Sequence, residues 1–595
     1  MSLILSRRDL DFILFEWLGV EKMLEREHFA HLDRSVIDGV MDTCETLATK
    51  YFASCYQKGD REEPFFDGEA VRCLPEAGVA LKAFADAGLL SSGQPLSEGG
   101  MQLPVTVERA AFAWFTAANA PAAGYAFLSM AAANLLLKHG SSEQIETYAR
   151  PMLTGRFFGT MALSEPQAGS SLSDITTIAK PQEDGSFRLF GRKMWTSGGD
   201  QNFSENIVHL VLARVEGAPS GAKGISLFIV PKFLTDDEGR LGERNDVVLA
   251  GLNHKMGYRA TTNTLLNFGE GKHTPEGKAG AKAFMVGRLN EGLQCMFFMM
   301  NEARIAVGTG SSSIGYTGYL HALNYARDRT QGRPPGAKDP TTPQIPLVAH
   351  VDVRRMLLAQ KAFVEGALAF TLWCATLVDD AASCEDERED AELLLDLLTP
   401  VAKSWPSQFC LAANDLAIQV HGGYGYTRDF KVEQFYRDQR LNMIHEGTHG
   451  IQAIDLLGRK VVMRGGRALD LFTKRVRATI ADAVETSGEL GGYARVLQRL
   501  LDRILAVTAS LHKRQGTADM LANASLYLEV FGHLAIGWIW LQQAALAQGH
   551  EDDFYRGKRH AAHYFFTFEL PRTDPLLDIL DANEDAALRM EDHWF

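Results

Sequence analysis

Cysteine is scarce in this sequence and shows no pattern. The seven cysteines among 595 residues are scattered, odd in number, and never spaced as C-x-x-C. A disulfide framework or a cysteine-based zinc site would need paired or closely spaced cysteines. We therefore expect a chain that works in a reducing compartment, and predict a cytoplasmic location.

The chain also lacks an excess of positive charge, a leader and a charge-free apolar run. Its formal net charge is −14, which argues against nucleic acid as a main partner. The N-terminus, MSLILSRRD, has no apolar core followed by a cleavage site, so we expect no signal peptide. The most apolar later stretch, 526–547, contains Glu529 and His533. We predict a buried helix there rather than a membrane span.

No G-x-G-x-x-G follows a predicted strand, which argues against a dinucleotide bound in the Rossmann manner. Internal repeats and low-complexity segments are also lacking. A chain of 595 residues is nevertheless too long for one hydrophobic core. Several domains of ordinary globular composition are therefore expected.

The periodicity of apolar residues predicts an α+β multidomain fold with four parts. These are an N-terminal helical domain (1–155), a central antiparallel β-barrel or sandwich (156–288), a helical bundle (289–464) and an additional C-terminal helical domain (465–595). Short runs with turn clusters such as Glu183-Asp184-Gly185 between them predict strands at 158–163, 187–191, 207–215, 225–230 and 265–268. Helical patterns predict long helices at 293–328, 351–378 and 392–420, and we expect Pro400 and Pro406 to kink or divide the last.

The segment around Glu446 is the strongest local candidate for chemistry. Thr448 precedes an apolar run of helical spacing and is predicted to cap it. Glu446 would then lie in a turn at a helix N-terminus, which alone is an ordinary place for an acidic residue. His445, Glu446 and His449 also match the zinc peptidase pattern H-E-x-x-H. That chemistry needs both histidines on one continuous helix, which Gly447 disfavours, so zinc is the remote alternative and we predict no metal.

Five motifs place Glu446 in a wider pattern. They are MALSEPQAGSS (161–171), GRKMWTSGG (191–199), HKMGYR (254–259), NEAR (301–304) with RDRTQGR (327–333), and QVHGGYGY (419–426) followed by EGT (446–448). In this order they resemble the acyl-CoA dehydrogenase family over about residues 40–460. The extension beyond 465 is similar to a long bacterial subgroup. That subgroup includes 3-methylmercaptopropionyl-CoA dehydrogenase and broad-range fatty acyl-CoA dehydrogenases.

The resemblance implies a homodimeric flavoprotein of fatty acid β-oxidation type. It would convert an acyl-CoA into a trans-2-enoyl-CoA, with Glu446 as base, FAD as cofactor and electron-transfer flavoprotein as electron acceptor. The residues it assigns to FAD are Met161, Leu163, Ser164, Ser170, Trp195, Ser197, Arg329, Gln331, Gln419, Gly422, Gly423 and Thr448. Those it assigns to the acyl-CoA substrate are Ser170, Asn301, Arg304 and Gly447.

Three alternatives stay open beside the zinc peptidase. The first is an acyl-CoA oxidase, which performs the same chemistry with O₂ as acceptor. The second is a 3-methylmercaptopropionyl-CoA type of substrate. The third is a relative that binds CoA or flavin without turnover, against which the presence of Glu446 argues. The sequence does not fix the length or head group of the acyl chain.

Overall fold

The computed structural model describes residues 2–236, 239–485, 488–514 and 516–595, and the side chains of all of them except Phe298 and Asn301. The chain divides into two compact units. We call Met1–Asp38, Pro104–Ala117 and Arg304–Phe595 the helical unit. We call Gly39–Leu103 and Ala118–Ala303 the mixed unit. The four-domain division predicted from the sequence stays a prediction.

Helices account for most of the described chain, and strands are concentrated in one stretch. The α-helices are Arg7–Asp11, Val20–Leu24, Arg34–Leu47, Ala53–Arg61, Pro75–Asp86, Val105–His139, Ser142–Gln144, Arg150–Leu153, Gly292–Asp328, Val351–Ser383, Arg388–His421, Val432–Arg440, His449–Gly458, Arg467–Val484, Glu489–Leu511, Thr517–Leu521, Ala524–Leu546, Asp553–Tyr564, Thr573–Ala582 and Ala586–Arg589. The strands are Phe65–Phe66, Val71–Arg72, Phe157–Ala162, Ile178–Pro181, Phe187–Ser197, Asn206–Val215, Ile225–Pro231, Phe233–Thr235, Leu241–Arg244, Val247–Leu252, Asn263–Phe268 and Ala281–Val286. The predicted α+β class is confirmed.

A small closed barrel forms the centre of the mixed unit. Its strands follow one another, each hydrogen-bonded to the next and the last to the first, in the order Ile178–Pro181, Phe187–Ser197, Ala281–Val286, Ile225–Pro231 and Asn206–Val215. Closure removes free edges, which are otherwise open to unwanted pairing. Most pairings are antiparallel, as predicted.

Two pairings differ from that prediction, because Asn206–Val215 runs parallel both to Phe157–Ala162 and to Ile178–Pro181. Parallel neighbours need a long connection, which residues 163–205 supply for the first of these pairs.

The strand Asn206–Val215 is buried on both faces. Val208, Leu210 and Leu212 pack into a core that also contains helical residues of the mixed unit. Val211 and Ala213 belong to a second core shared with the other strands of the sheet. Since side chains alternate between the faces of a strand, two buried faces explain why this segment is an almost continuous apolar run.

The helix Val105–His139 is interrupted at Asn119. Asn119 has an extended backbone (φ −163°, ψ 79°) inside the helix. Its side-chain oxygen accepts from the Ala122 N–H at 3.1 Å, which caps the second half of the helix. Pro121 lies in the first turn of that half, where a missing N–H costs little.

Long helices dominate the helical unit. Gly292–Asp328, Val351–Ser383 and Arg388–His421 begin within four residues of their predicted starts. Contrary to the prediction, Pro400 and Pro406 do not divide the third helix, which is continuous. Its residues from Leu397 to Ser407 are all buried, so packing against neighbouring helices outweighs the loss of two backbone hydrogen bonds.

A buried charge network joins the two ends of the helical unit. The Lys558 ammonium contacts the carboxylates of Asp9 and Glu365, the latter at 2.9 Å. Lys361 also pairs with Glu365, and the Tyr316 hydroxyl donates to Asp9 at 3.0 Å. The Lys558, Asp9 and Glu365 side chains are at most 2% exposed. The last helices are thereby tied to the first one.

Three helices are long and apolar enough to cross a membrane by length and composition alone. They are Val105–His139, Val351–Ser383 and Ala524–Leu546. The most apolar windows of these helices are 72%, 94% and 83% buried inside the protein, respectively. The third corresponds to the buried helix predicted at 526–547.

Candidate active site

Glu446 occupies a strained turn directly before a helix. Its φ is +55° and that of Gly447 is +90°, so two successive residues adopt the left-handed conformation, which a residue with a side chain rarely takes. The helix His449–Gly458 then begins, and the Thr448 hydroxyl accepts from the Ile451 N–H at 3.4 Å. The predicted cap is confirmed. A non-glycine residue held in this conformation is typical of functional sites.

Two side chains hold the carbonyl groups of this turn. The Lys403 ammonium, from the helix Arg388–His421, donates to the Gly447 carbonyl at 2.8 Å. The Gln452 amide donates to the Glu446 carbonyl at 3.2 Å. Within the described part of the chain the Glu446 N–H has no hydrogen-bond acceptor. The turn therefore keeps backbone donors available beside the carboxylate, and the Glu446 N–H is one of them.

The charges around Glu446 oppose the effect of its burial. The residue is half-buried by exposed area, and burial raises the pKa of its carboxyl above the ordinary value. The nearby charges of Arg304 and Lys403 counteract that rise. Burial lowers the pKa of Lys403 to about 7, although the Glu446 charge acts in the other direction. The site thus combines a carboxylate of raised basicity with two buried basic side chains, Arg304 and Lys403.

The geometry does not support the H-E-x-x-H alternative. His445 lies in the turn, while His449 is the first residue of the following helix. The left-handed residues between them prevent one continuous helix from presenting both rings. Burial also lowers the pKa of His445 to about 3 and that of His449 to about 4. Among the described residues, no group of three His, Cys, Asp or Glu could hold a metal ion.

A cleft in the helical unit collects five of the residues assigned to FAD. Its volume is about 580 Å³, and its lining includes Arg329, Gln331, Gln419, Gly422 and Gly423. These residues come from two segments, 329–331 and 419–423, that are about 90 positions apart in the sequence. The structure brings them together as one surface that is large enough for part of a nucleotide.

Aromatic rings and open glycines shape this cleft. Tyr325 stacks on His421 with ring centroids 4.2 Å apart, and the Arg329 guanidinium lies 5.8 Å from the Tyr424 ring centroid. At Gly422 the backbone (φ 60°, ψ −139°) is one that only glycine adopts readily. At Gly423 a methyl group would meet nothing within 4 Å. Open space over a glycine backbone allows a ligand to approach closely.

The mixed unit presents a second group of predicted residues. Ser164 follows the strand Phe157–Ala162, and its carbonyl accepts from the Met194 N–H at 2.9 Å. The neighbouring Trp195 is 58% exposed and has a φ of +65°. Ser197, two residues on, accepts from the Asn263 amide at 3.3 Å. An exposed tryptophan in a strained conformation beside polar groups is a surface suited to an aromatic ligand.

A buried ion pair fixes the segment that carries Ser164. The Lys193 ammonium donates to Glu165 at 2.9 Å and to the Leu163 carbonyl at 2.9 Å. Glu165 also accepts from the backbone N–H and hydroxyl of both Thr176 and Thr177. The backbone around Ser164 is therefore held from both sides.

The remaining predicted residues have varied positions. Met161 and Leu163 pack against the core of the mixed unit, and Ser170 is exposed. Arg304 is 7% exposed, and its Nε has no partner among the described residues. Its charge acts on Glu446, and its guanidinium lies 3.9 Å from the place that a Cβ at Gly447 would occupy. The predicted substrate contact of the Asn301 side chain lies outside the described residues.

Lys403, Gln452 and the Glu165–Lys193 pair are absent from the set predicted from the sequence. Lys403 had a visible signal, because it is a lone charge in the otherwise uncharged helical run 397–414. A charge in such a run is buried and must find a partner. The partner, Gly447, is 44 residues away, and the sequence alone does not indicate it.

Comparisons with known families and proteins agree with these observations. The family model described as acyl-CoA dehydrogenase, middle domain, matches residues 160–270. The model described as acyl-CoA dehydrogenase, C-terminal domain, matches residues 290–461. The model described as acetyl-CoA dehydrogenase C-terminal like matches residues 472–591. Together they span most of the chain.

Two curated proteins match over most of their length. The chain is 38% identical over 510 residues to 3-methylmercaptopropionyl-CoA dehydrogenase of Ruegeria pomeroyi, covering 83% of each chain. It is 34% identical over 612 residues to the broad-specificity linear acyl-CoA dehydrogenase FadE5 of Mycobacterium tuberculosis, covering 99% of each.

The fold is similar to that of a solved acyl-CoA dehydrogenase. The crystal structure of the Bacillus anthracis enzyme, complexed with FAD, matches with a TM-score of 0.74. The match covers 93% of this chain and 89% of that one at 19% identity. At this identity the likeness concerns the fold alone.

Proposed function

Because the chain belongs to the acyl-CoA dehydrogenase family, we propose that it oxidises the Cα–Cβ bond of an acyl-CoA thioester, with FAD as cofactor. The product is a trans-2-enoyl-CoA. When bound, FAD supplies the acceptor for the hydride that leaves Cβ. The observation that carries the proposal is the Glu446 carboxylate, which is carried on a strained turn and feels the charges of Arg304 and Lys403.

Glu446 removes the proton from Cα in this proposal. A carboxylate of ordinary pKa is a weak base for a carbon acid, and the raised pKa of Glu446 brings its basicity closer to the task. The opposing charges of Arg304 and Lys403 keep a useful fraction of the group ionised. The strained backbone fixes the position from which the Glu446 side chain extends. Less conformational entropy is therefore lost when the carboxylate is brought to the substrate.

The N–H of Glu446 stabilises the thioester oxygen as charge develops there. This N–H has no acceptor among the residues that the structure describes. The carbonyls of Glu446 and Gly447, in contrast, accept hydrogen bonds from Gln452 and Lys403. A preorganised backbone donor of this kind is a strong contributor to catalysis of enolate-forming reactions.

The residues described above fit FAD in chemical terms. The cleft with Arg329, Gln331, Gln419, Gly422 and Gly423 offers a guanidinium for phosphate oxygens and bare backbone for a base or sugar. In the mixed unit, Ser164, Trp195 and Ser197 offer an aromatic face and hydrogen-bonding groups for the flavin ring. Thr448 uses its oxygen as a cap acceptor and keeps its proton for donation.

The substrate we propose is a straight-chain acyl-CoA. Support comes from the relative that matches over 99% of both chains, whose name describes a broad-specificity linear acyl-CoA dehydrogenase. Electron-transfer flavoprotein is the proposed acceptor, and a cytoplasmic homodimer the proposed form. A 3-methylmercaptopropionyl-CoA substrate is the second candidate, favoured by the identity of 38% to the enzyme of that name.

Anaerobic mixing of the purified flavoprotein with a panel of acyl-CoAs tests the proposal. The panel includes straight-chain acyl-CoAs of increasing length, branched ones and 3-methylmercaptopropionyl-CoA. We expect rapid bleaching of the flavin absorbance by straight-chain substrates. Glu446→Gln keeps the yellow flavin and is bleached at least about a thousandfold more slowly, while Glu446→Asp retains a carboxylate and is the matched control.

The outcomes separate the alternatives. Bleaching of Glu446→Gln at the wild-type rate would remove Glu446 as the base, and colourless protein that refuses added FAD would refute the flavoprotein proposal. Release of hydrogen peroxide in air at the rate of turnover would assign an oxidase. Preference for the sulfur-containing substrate by a large factor in kcat/KM would favour the second candidate.

A further inference from the structure

We propose that Lys403 is a positioning residue for proton abstraction: its buried ammonium fixes the Gly447 carbonyl and thereby holds Glu446 in its reactive conformation. This inference rests on the proposed role of Glu446 as the base. It adds a residue outside the five sequence motifs that carry the resemblance to the family.

The geometry assigns Lys403 to the turn and to nothing else in the described structure. The Lys403 residue is fully buried at 0% exposure, and its Nζ donates to the Gly447 carbonyl at 2.8 Å. No carboxylate lies within ion-pair distance of it among the described side chains. Burial removes the hydration of the Lys403 ammonium, which is unfavourable. In return the ammonium makes a single hydrogen bond among the described residues, to the carbonyl of the residue that follows the base.

The turn needs such an anchor. Glu446 and Gly447 are both left-handed, and an amino acid with a side chain resists that conformation. Lys403 holds the second carbonyl, and Gln452 holds the first at 3.2 Å. The two donors lie on different helices, Arg388–His421 and His449–Gly458. Together they fix the peptide plane that follows Glu446 and the one that follows Gly447, and so restrict the backbone from which the Glu446 side chain extends.

Lys403 also sets the electrostatic environment of the base. The charged groups that act on Glu446 are Lys403 and Arg304, both of which favour the carboxylate anion. The groups that act on Lys403 are Glu446 and Arg304. His445 and His449 feel the Lys403 charge and stay neutral. Removal of Lys403 therefore leaves Arg304 as the one cation opposing protonation of Glu446 in the described surroundings.

A positioning role and a structural role predict opposite effects on stability. A buried ammonium with one hydrogen bond is a cost to folding, and an apolar side chain of similar length in its place is neutral or stabilising. A lysine retained for structure would instead destabilise the protein when replaced. Loss of rate without loss of stability is thus the signature of positioning.

The test compares Lys403→Met with wild type, using FAD-loaded full-length protein and a straight-chain acyl-CoA that reduces the wild-type flavin. Flavin content, thermal unfolding midpoint, and the rate of flavin reduction as a function of pH are measured. We expect unchanged flavin content and an unfolding midpoint equal to or above that of wild type. We expect the rate to fall about tenfold to a hundredfold, as for loss of a hydrogen bond from a charged group.

The pH profile is the readout that a structural role would not move. Without the Lys403 charge the pKa of Glu446 rises further, so the acid limb of the profile shifts to higher pH. Lys403→Arg keeps the charge, and its acid limb stays at the wild-type position even if its rate is lower. Lys431→Met is the matched control, because Lys431 is a partly buried lysine of the same unit that acts on neither Glu446 nor Lys403. It should keep the wild-type pH profile.

A wild-type rate and acid limb in Lys403→Met would overturn the inference. If Lys403→Met does not fold, a shifted acid limb in Lys403→Arg overturns it and an unshifted one supports it. These results are distinguishable from failure of the proposed function. In that case wild type itself is not bleached by any acyl-CoA, or Glu446→Gln is bleached as fast as wild type.

Discussion

The carboxylate of Glu165 lies 2.9 Å from the ammonium of Lys193, and both side chains are at most 2% exposed. Glu165 accepts hydrogen bonds from two threonines in addition. Burial raises the pKa of Glu165, but Lys193 and these donors outweigh it and bring the pKa to about 2. Burial lowers the pKa of Lys193 to about 8. The lowered pKa of Glu165 means that the fold stabilises its charged form, because several donors surround the carboxylate. The lowered pKa of Lys193 means that the fold disfavours its charged form, because few acceptors surround the buried ammonium.

Replacement of Glu165 by Gln should strongly destabilise the mixed unit. The substitution leaves the Lys193 ammonium buried without a counter-charge, which costs about 3–5 kcal/mol. Flavin retention should fall as well, since Lys193 also holds the carbonyl before Ser164. Thermal unfolding and FAD content measure both effects. The double variant Glu165→Gln/Lys193→Met is the control, and equal destabilisation by the double variant would contradict this account.

Stability should depend on pH through Glu165 in the acid range. The folded-state pKa of about 2 lies below the ordinary value of 4.5, so the contribution is complete above pH 4.5 and is lost as pH falls through 2. Its size is about 3 kcal/mol. Unfolding midpoints between pH 5 and 2 should fall more steeply for wild type than for Glu165→Gln. Parallel curves for the two proteins would contradict the assignment.

Gly447→Ala should damage activity more than folding. An alanine methyl would lie 2.4 Å from the Gln452 amide nitrogen, displacing the donor that holds the Glu446 carbonyl, and φ is +90° there. We expect a stability loss of about 1–3 kcal/mol and at least about a tenfold loss of flavin reduction rate. Gly450→Ala, where a methyl meets nothing within 4 Å, is the control and should be active and slightly stabilised.

The pair Gly422→Ala and Gly423→Ala separates backbone strain from ligand approach. Gly422 has a backbone that alanine adopts poorly, so Gly422→Ala should lower the unfolding temperature of the apoprotein. Gly423 has neither a positive φ nor a neighbour within 4 Å, so Gly423→Ala should leave the apoprotein unchanged. It should weaken FAD binding, measured by flavin titration, if the cofactor approaches this backbone. An unchanged FAD affinity would exclude such an approach.

Chelation of metal ions should not affect turnover. The two histidines of the H-E-x-x-H pattern lie on either side of a left-handed turn rather than on one helix. Dialysis against EDTA should therefore leave the rate of flavin reduction unchanged, and elemental analysis should find no stoichiometric zinc. Loss of activity restored by added zinc would contradict the structure of this turn as described.

The sequence predicted the helices, strands and helix cap whose signals lie within a few neighbouring residues. The strand predicted at 207–215 is Asn206–Val215, and the helix predicted from 351 begins at Val351. A short apolar run marks the buried strand, and apolar residues at helical spacing mark the helix. The Thr448 cap was predicted for the same reason: its partner, Ile451, is three residues away.

The sequence did not predict contacts between residues that lie far apart along the chain. The parallel pairing of Phe157–Ala162 with Asn206–Val215 depends on where a 43-residue connection returns the chain, and no local signal encodes it. The strands Ile178–Pro181, Val247–Leu252 and Ala281–Val286 were not predicted. Pro400 and Pro406 predicted a break that tertiary packing overrode. Lys403 was overlooked because its partner is defined only in three dimensions.

The ion network around Lys558 links the C-terminal helices to the charge balance of the rest of the helical unit. The lysine comes from near the C-terminus and neutralises Asp9 and Glu365, which lie far outside the C-terminal extension. A chain truncated after the bundle would retain two interior carboxylates with the ammonium of Lys361 alone to balance them. The helix that carries Lys558 is therefore an integral part of the charge balance inside the folded protein.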